Sequence, residues 1–197
     1  MGNWFPILYD SVMAPFEKYR FRKIRENLVT RSQGRVLEIG SGTGVNFPLY
    51  NGVLQVDAIE PNPLMRKQSQ SKLEQAKVPI YVYGAEAEKL PFENNTFDSV
   101  VATLVFCTIP HPAQAIKEIQ RVCKPNASLL LFEHIKMHQP VLGKTQEIVT
   151  PIWKKICDGC HLNRDTLQLL NQSNMRINKV ESYFKGLFIV IEASNKQ

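Results

Sequence analysis

A run of glycines and three carboxylates carry the strongest chemical content of this 197-residue chain. Glu38-Ile-Gly40-Ser-Gly42-Thr-Gly44 follows directly on an apolar run beginning at Arg35. Glycines there let the backbone turn tightly and approach a ligand with no Cβ in the way. Two phosphate-binding readings fail on spacing. The dinucleotide pattern G-x-G-x-x-G/A, started at Gly40, needs Gly or Ala at position 45, where Val45 stands, and no Lys-Ser/Thr pair follows as a phosphate loop requires. Glu38 would repel a pyrophosphate and attract an ammonium or a sulfonium. Glu60, about twenty residues beyond the glycines, is placed as the carboxylate that accepts ribose hydroxyls. Glu86, in Tyr83-Gly-Ala-Glu-Ala87, is placed to accept from an adenine exocyclic amine.

A second group of residues is less specific. His134 closes an apolar run and is the candidate general base or acceptor-positioning group, with a hydrogen-bonded structural role as the alternative. Cys157-Asp-Gly-Cys-His161 has the form of a haem-attachment or redox motif, but neither the export nor the βαβ context for those chemistries accompanies it. It reads as pocket lining or structure, with redox or metal chemistry the lesser alternative, and no metal site is expected. Cys107 reads as wall packing, His111 as a loop residue between prolines, and Asp98 as a brace for backbone amides.

These residues need a scaffold, and the pattern supplies one. Strands are expected at Arg35–Gly40, Val53–Glu60, Pro79–Tyr83, Phe97–Val105 and Leu129–His134. Helices are expected after Pro61-Asn-Pro63 and after His111-Pro112, the second burying Ala115, Ile116, Ile119 and Val122 and stopping at Lys124-Pro-Asn126. The alternation argues for an open, mostly parallel sheet with helices on both faces. Pro140 to Leu170 reads as mostly helical, broken near Asp158-Gly159, and Met175–Phe184 with Leu187–Ala193 reads as a hairpin around Lys185-Gly186.

Composition narrows the class. With 44% hydrophobic residues and no run of eighteen apolar residues, the chain reads as one α/β domain without a membrane span. The N-terminus lacks the features of a signal peptide, and four cysteines do not make a disulfide scaffold, so reduced thiols in the cytoplasm are expected. A net charge of +6 is spread along the chain, dense only at Lys18–Arg25, and no nucleic-acid module is present.

The ordered blocks Val36–Gly44 (VLEIGSGTG), Glu60, Ala85-Glu86-Ala87 with Leu90-Pro-Phe92, and Phe97-Asp98 resemble those of class I S-adenosylmethionine-dependent methyltransferases, of the methyltransferase type 11 family. The resemblance covers residues 34–136, with Lys124-Pro-Asn-Ala127 in place of the usual Lys-Pro-Gly-Gly turn. It implies a Rossmann-like seven-stranded sheet with a C-terminal β-hairpin, and S-adenosylmethionine as methyl donor. Cofactor contacts are implied from Tyr9, Glu38, Gly40, Gly42, Gly44, Glu60, Pro61, Met65, Glu86, Ala87 and Leu104. Residues 1–30, with Trp4, Phe5, Tyr9 and Phe16, would form a helical lid, core packing or a membrane-surface helix, and residues 137–197 the acceptor side. Thr103–Thr108 (TLVFCT), Phe132-Glu-His134, Asp158-Gly-Cys160 and Arg164-Asp-Thr166 are similar to the methyltransferase-like type seven group of thiol methyltransferases. That implies a small, fairly apolar acceptor, preferably a thiol. A phospholipid or quinone methyltransferase with weak membrane-surface association, and a non-catalytic S-adenosylmethionine-binding protein, stand as alternatives.

Overall fold

A computed structural model describes residues 20–137, 139–157 and 159–196. Helix α1 (Arg22–Val29) leads into β1 (Arg35–Ile39). Then follow β2 (Gln55–Ile59), α2 (Pro63–Leu73), β3 (Ile80–Tyr83), β4 (Phe97–Thr103), α3 (Pro112–Val122) and β5 (Cys123–His134). The tail holds α4 (Pro140–Ile156), α5 (Thr166–Asn171), β6 (Met175–Tyr183) and β7 (Phe188–Asn195). All seven strands form one sheet in the order β3-β2-β1-β4-β5-β7-β6. The first five run parallel and β7 runs antiparallel to both neighbours, so the C-terminal hairpin completes the sheet as its alternation implied.

The chain winds outward from β1 in one direction to β3 and in the other to β5 and the hairpin. β1 pairs with β2 on one side and β4 on the other. The reversal of strand order therefore lies between β1 and β4, and the crevice outside their carboxyl ends is where open α/β sheets bind ligands. Glu60, the glycine turn and Leu104 all lie at those ends.

Both faces of the central strands are covered, which explains their nearly unbroken apolar runs. Leu129 and Leu131 of β5 pack with Ile116 and Ile119 of α3 on one face. Leu130 and Phe132 pack with Phe21, Ile24 and Leu28 beside α1 on the other. Arg25 belongs to the locally dense basic stretch Lys18–Arg25. It is buried, and its guanidinium lies 5.8 Å from the Phe132 ring centre. An arginine can be buried this way when its planar charge finds a ring face and hydrogen-bond acceptors together.

The expected stop at Lys124-Pro-Asn126 takes a different form. Helix α3 ends at Val122, but pairing to β4 begins at once with Cys123 opposite Phe97, then slips before Ser128 meets Ser99. The intervening residues bulge from the strand, and Asn126 takes φ 61°, a left-handed conformation asparagine tolerates. Among the described residues no helix is long and apolar enough to cross a membrane.

Asp98 has the bracing role expected of it. Its carboxylate accepts the Arg35 N–H at 2.9 Å and Lys124 Nζ at 2.7 Å, fixing the entry to β1 and the bulge of β5. The same carboxylate fills the space that a side chain at Gly34 would need. Burial opposes its ionisation, and Lys124 with the Arg35 amide still hold it below the ordinary carboxylate range. Asp98→Ala leaves the Arg35 amide without its acceptor and should cost about 1–3 kcal/mol of stability in urea denaturation.

Candidate functional site

The glycine turn divides its work among three residues. All three glycines have positive φ, between 55° and 77°. A Cβ on Gly40 would fall 2.2 Å from a methyl of Val105, and one on Gly44 would fall 2.7 Å from the Phe47 ring. These two let the loop close against the protein. A Cβ on Gly42 would meet nothing within 4 Å, so Gly42 presents bare backbone to the crevice.

Glu60 is positioned beside Gly42. Its two carboxylate oxygens accept the N–H groups of Gly42 at 3.0 Å and Asn62 at 2.9 Å. The Asn62 side chain in turn accepts from Leu64 N and caps α2, with Pro63 in the first turn. Arg66 Nη1 donates to the Glu60 and Pro61 carbonyls at 2.6 and 2.9 Å, closing the turn from the other side. Pro61 is exposed at the rim and Met65 is buried beside it. Glu86 is exposed beyond the end of β3, with Ala87 buried next to it. Leu104 leaves β4 with φ 56° while its N–H donates to the Phe132 carbonyl at 2.7 Å, turning the chain over the crevice. Tyr9 and the aromatic N-terminal segment lie outside the described residues.

Glu38 sits deeper than its neighbours. It is 1% exposed, beneath the glycine turn, and one carboxylate oxygen accepts from Asn46 Nδ2 at 2.9 Å. Asn46 also donates to Thr103 Oγ1 at 3.0 Å, and Arg25 hydrogen-bonds both Thr103 and Asn46. Burial pushes the Glu38 carboxyl up to about 7, against the Asn46 hydrogen bond and the Arg25 charge that favour the ion. Asn46 was not singled out in the sequence, and Arg25 and Thr103 were read only as parts of Lys18–Arg25 and Thr103–Thr108. Asn46, two residues past the last glycine, carried the only local hint.

A second group of side chains assembles at the ends of β4 and β5. Glu133 is fully buried and accepts from Val105 N and Phe106 N at 3.0 and 3.1 Å, anchoring the loop after β4. Burial lifts its carboxyl to about 7 despite those two amides. His134 Nε2 lies 3.3 Å from Cys160 Sγ, and Cys160 also contacts the Cys107 thiol. One ligand atom from each of Cys107, His134 and Cys160 falls within 4.8 Å of the others. The Cys107 contact pulls the Cys160 thiol down against its burial, with His134 and Trp153 adding to the effect. His161 N donates to the Cys107 carbonyl at 2.9 Å, tying the segment after α4 to the loop after β4. Cys157, the other cysteine of the C-x-x-C-H motif, is not part of this cluster. A separate cleft of about 870 Å3 lies nearby, between α4 and α5, lined by residues including Lys136, Gly143 and Arg164.

The family described as a methyltransferase domain matches residues 37–131. Thiol S-methyltransferase TMT1B of Rattus norvegicus is 34% identical over 177 residues, covering 83% of this chain and 72% of that protein. This chain belongs to the S-adenosylmethionine-dependent methyltransferases. Another relative of the methyltransferase is the phosphatidylethanolamine N-methyltransferase of Cereibacter sphaeroides, 33% identical over 142 residues, with 71% of this chain and 70% of that protein covered. A crystal structure of an S-adenosylmethionine-dependent methyltransferase from Thermotoga maritima shares the fold, with TM-score 0.68, 21% identity and 100% coverage of both chains. The methyl donor is S-adenosylmethionine, and the residues present fit it: bare backbone at Gly42 beside a carboxylate held in place by two amides.

Two substitutions separate folding from donor binding in this methyltransferase. Gly40→Ala collides with Val105 and should cost about 2–3 kcal/mol in thermal or urea melts. Gly42→Ala should cost only about 1 kcal/mol yet weaken S-adenosylmethionine binding in calorimetry at least as much as Gly40→Ala does. Glu38 adds a pH dependence. Its raised value means the folded chain holds the proton more tightly than the unfolded chain, so stability falls as pH rises from the ordinary carboxylate range through about 7. Glu38→Gln keeps an acceptor for Asn46 and removes that slope. Relative to the parent it should gain about 1–3 kcal/mol in urea denaturation between about pH 5 and about pH 8.

Proposed function

We propose that this methyltransferase methylates a small, fairly apolar thiol. The observation carrying the proposal is the cluster of Cys107, His134 and Cys160 at the carboxyl ends of β4 and β5, on the acceptor side of the crevice. Similarity to a thiol S-methyltransferase at 34% identity supports it.

S-adenosylmethionine supplies an already activated methyl on its sulfonium, so the protein's task is alignment, water exclusion and keeping the acceptor deprotonated. A thiol ionises near ~8.5 unperturbed and needs little help to become a nucleophile. In this reading Glu60 takes the ribose hydroxyls and Glu86 the adenine amine. Glu38 contributes negative charge beneath the aminoacyl end, reaching it through the turn that Asn46 supports. Gly40, Gly42, Gly44, Pro61, Met65, Ala87 and Leu104 shape the donor groove. His134 positions the acceptor, and of the segment expected as a lid, Phe21, Ile24, Leu28 and Val29 instead pack in the core against β5. A cytoplasmic setting belongs to the same reading, which the four free cysteines support.

The test is a screen of alkyl thiols, amines, phenols and phospholipid vesicles that detects S-adenosylhomocysteine release. Release with thiols is the expected result. Turnover with phospholipid alone would replace the acceptor class, and tight donor binding without any turnover would make the protein a binder. Glu60→Ala should weaken donor binding about 10–100-fold in calorimetry, the loss of hydrogen bonds to a charged group.

A further inference from the structure

Cys107, His134 and Cys160 are far apart in sequence and arrive from three different segments: the loop after β4, the end of β5, and the segment after α4. Their Sγ, Nε2 and Sγ atoms converge to within 4.8 Å, and Cys107 and Cys160 are 3% and 9% exposed. Buried thiols and an imidazole brought together this closely are unusual unless something holds them, because each loses hydration and gains only weak sulfur hydrogen bonds. Two sulfurs and one nitrogen are the donor set of a tetrahedral site for zinc or a similarly soft cation, and small side-chain shifts would bring them onto one ion. Three protein ligands leave one position open, the arrangement of sites that act on a substrate.

The surroundings agree with such a site. Trp153 lies beside Cys160, where an outer contact can steady a coordinated sulfur. Arg164 turns Nη2 to the Ile109 carbonyl at 3.0 Å and to His161 Nδ1 at 3.2 Å. Its positive charge faces the sulfurs of Cys107 and Cys160 and the buried Glu133 carboxyl. His134 Nδ1 is buried without a hydrogen-bond partner among the described residues, so Nε2 is the ring atom committed to the cluster.

We propose that Cys107, His134 and Cys160 bind a divalent soft cation of the zinc type, whose fourth position takes the sulfur of the acceptor thiol. The proposal rests on the thiol reading of the acceptor and deepens it. Coordination replaces the thiol proton, which leaves to solvent, and holds the sulfur lone pair beside the donor crevice. The new S–CH3 bond then forms as the sulfonium S–CH3 bond breaks, with no oxidant or reductant needed. The local C-x-x-C-H spacing is not the binding unit, since Cys157 stands outside the cluster.

Cobalt(II) reports the site directly. Titrated into the phosphine-reduced full-length protein, one equivalent should give thiolate-to-cobalt charge-transfer absorption and the visible bands of tetrahedral cobalt, both abolished by added zinc. Cys107→Ser and Cys160→Ser should each lower the charge-transfer intensity and weaken zinc binding by tenfold or more, and His134→Asn should weaken it similarly. Cys157→Ser should leave the spectrum unchanged. Circular dichroism and S-adenosylmethionine calorimetry confirm that each variant is folded. A folded parent protein giving no cobalt spectrum overturns the proposal, as does a spectrum that survives in Cys107→Ser and Cys160→Ser or is lost in Cys157→Ser. Metal binding is read without methyl transfer, so a metal site without thiol turnover refutes the acceptor reading and with it the role of the fourth position, and thiol turnover without a metal site refutes only this proposal.

Discussion

A guanidinium and a carboxylate are buried together beneath the glycine turn, and the geometry of the donor site is built over them. Arg25 from α1 reaches Thr103 at the end of β4 and Asn46 beyond the glycines, and Asn46 passes the connection to Glu38 at the end of β1. Taking either charge out of water alone would cost several kcal/mol, so each is retained only while the others are in place. The network joins the first helix, the glycine turn and the strand on the far side of the topological switch. It fixes where the turn sits before any ligand arrives. Its cost is visible in Glu38, whose proton affinity is raised by burial that its partners only partly offset.

Above this buried layer the donor edge is held by backbone. Glu60 fastens to two amides of its own rim, and Gly42 keeps its open side clear. A carboxylate already held by neutral N–H donors is ordered in advance, so less conformational freedom is lost when ligand hydroxyls reach it. At the ends of β4 and β5 the same principle uses Glu133, whose two amide contacts set the loop carrying Cys107 beside His134 and Cys160. One buried carboxylate thus stands behind each half of the crevice. The two halves meet because β1 and β4 are adjacent in the sheet.

Much of this was legible in the chain. The strands, the two long helices flanking them and the terminal hairpin follow from apolar periodicity and from turn residues, which are local properties. The glycine turn, Glu60 and Asp98 were legible because their roles depend on short-range geometry: a positive φ, a strand end, a nearby amide. Element ends were less so. At Lys124–Asn126 a stop signal became a bulge because β4 offered Cys123 a partner at once.

What the sequence by itself determined is the fold class, the donor and the glycine turn, since periodicity, glycine placement and acidic spacing act within a few residues. What only the tertiary structure decided is which distant side chains meet. Arg25 reads as part of a basic stretch, and its burial exists only because Phe132 and Thr103 lie opposite. Cys160 reads as half of a C-x-x-C pair, yet its neighbours are Cys107 and His134, brought in by strand pairing and by the hydrogen bond from His161 to the Cys107 carbonyl. Side-chain chemistry in a chain of this kind is settled by neighbours across the sheet, and those neighbours are fixed by packing that no local pattern records.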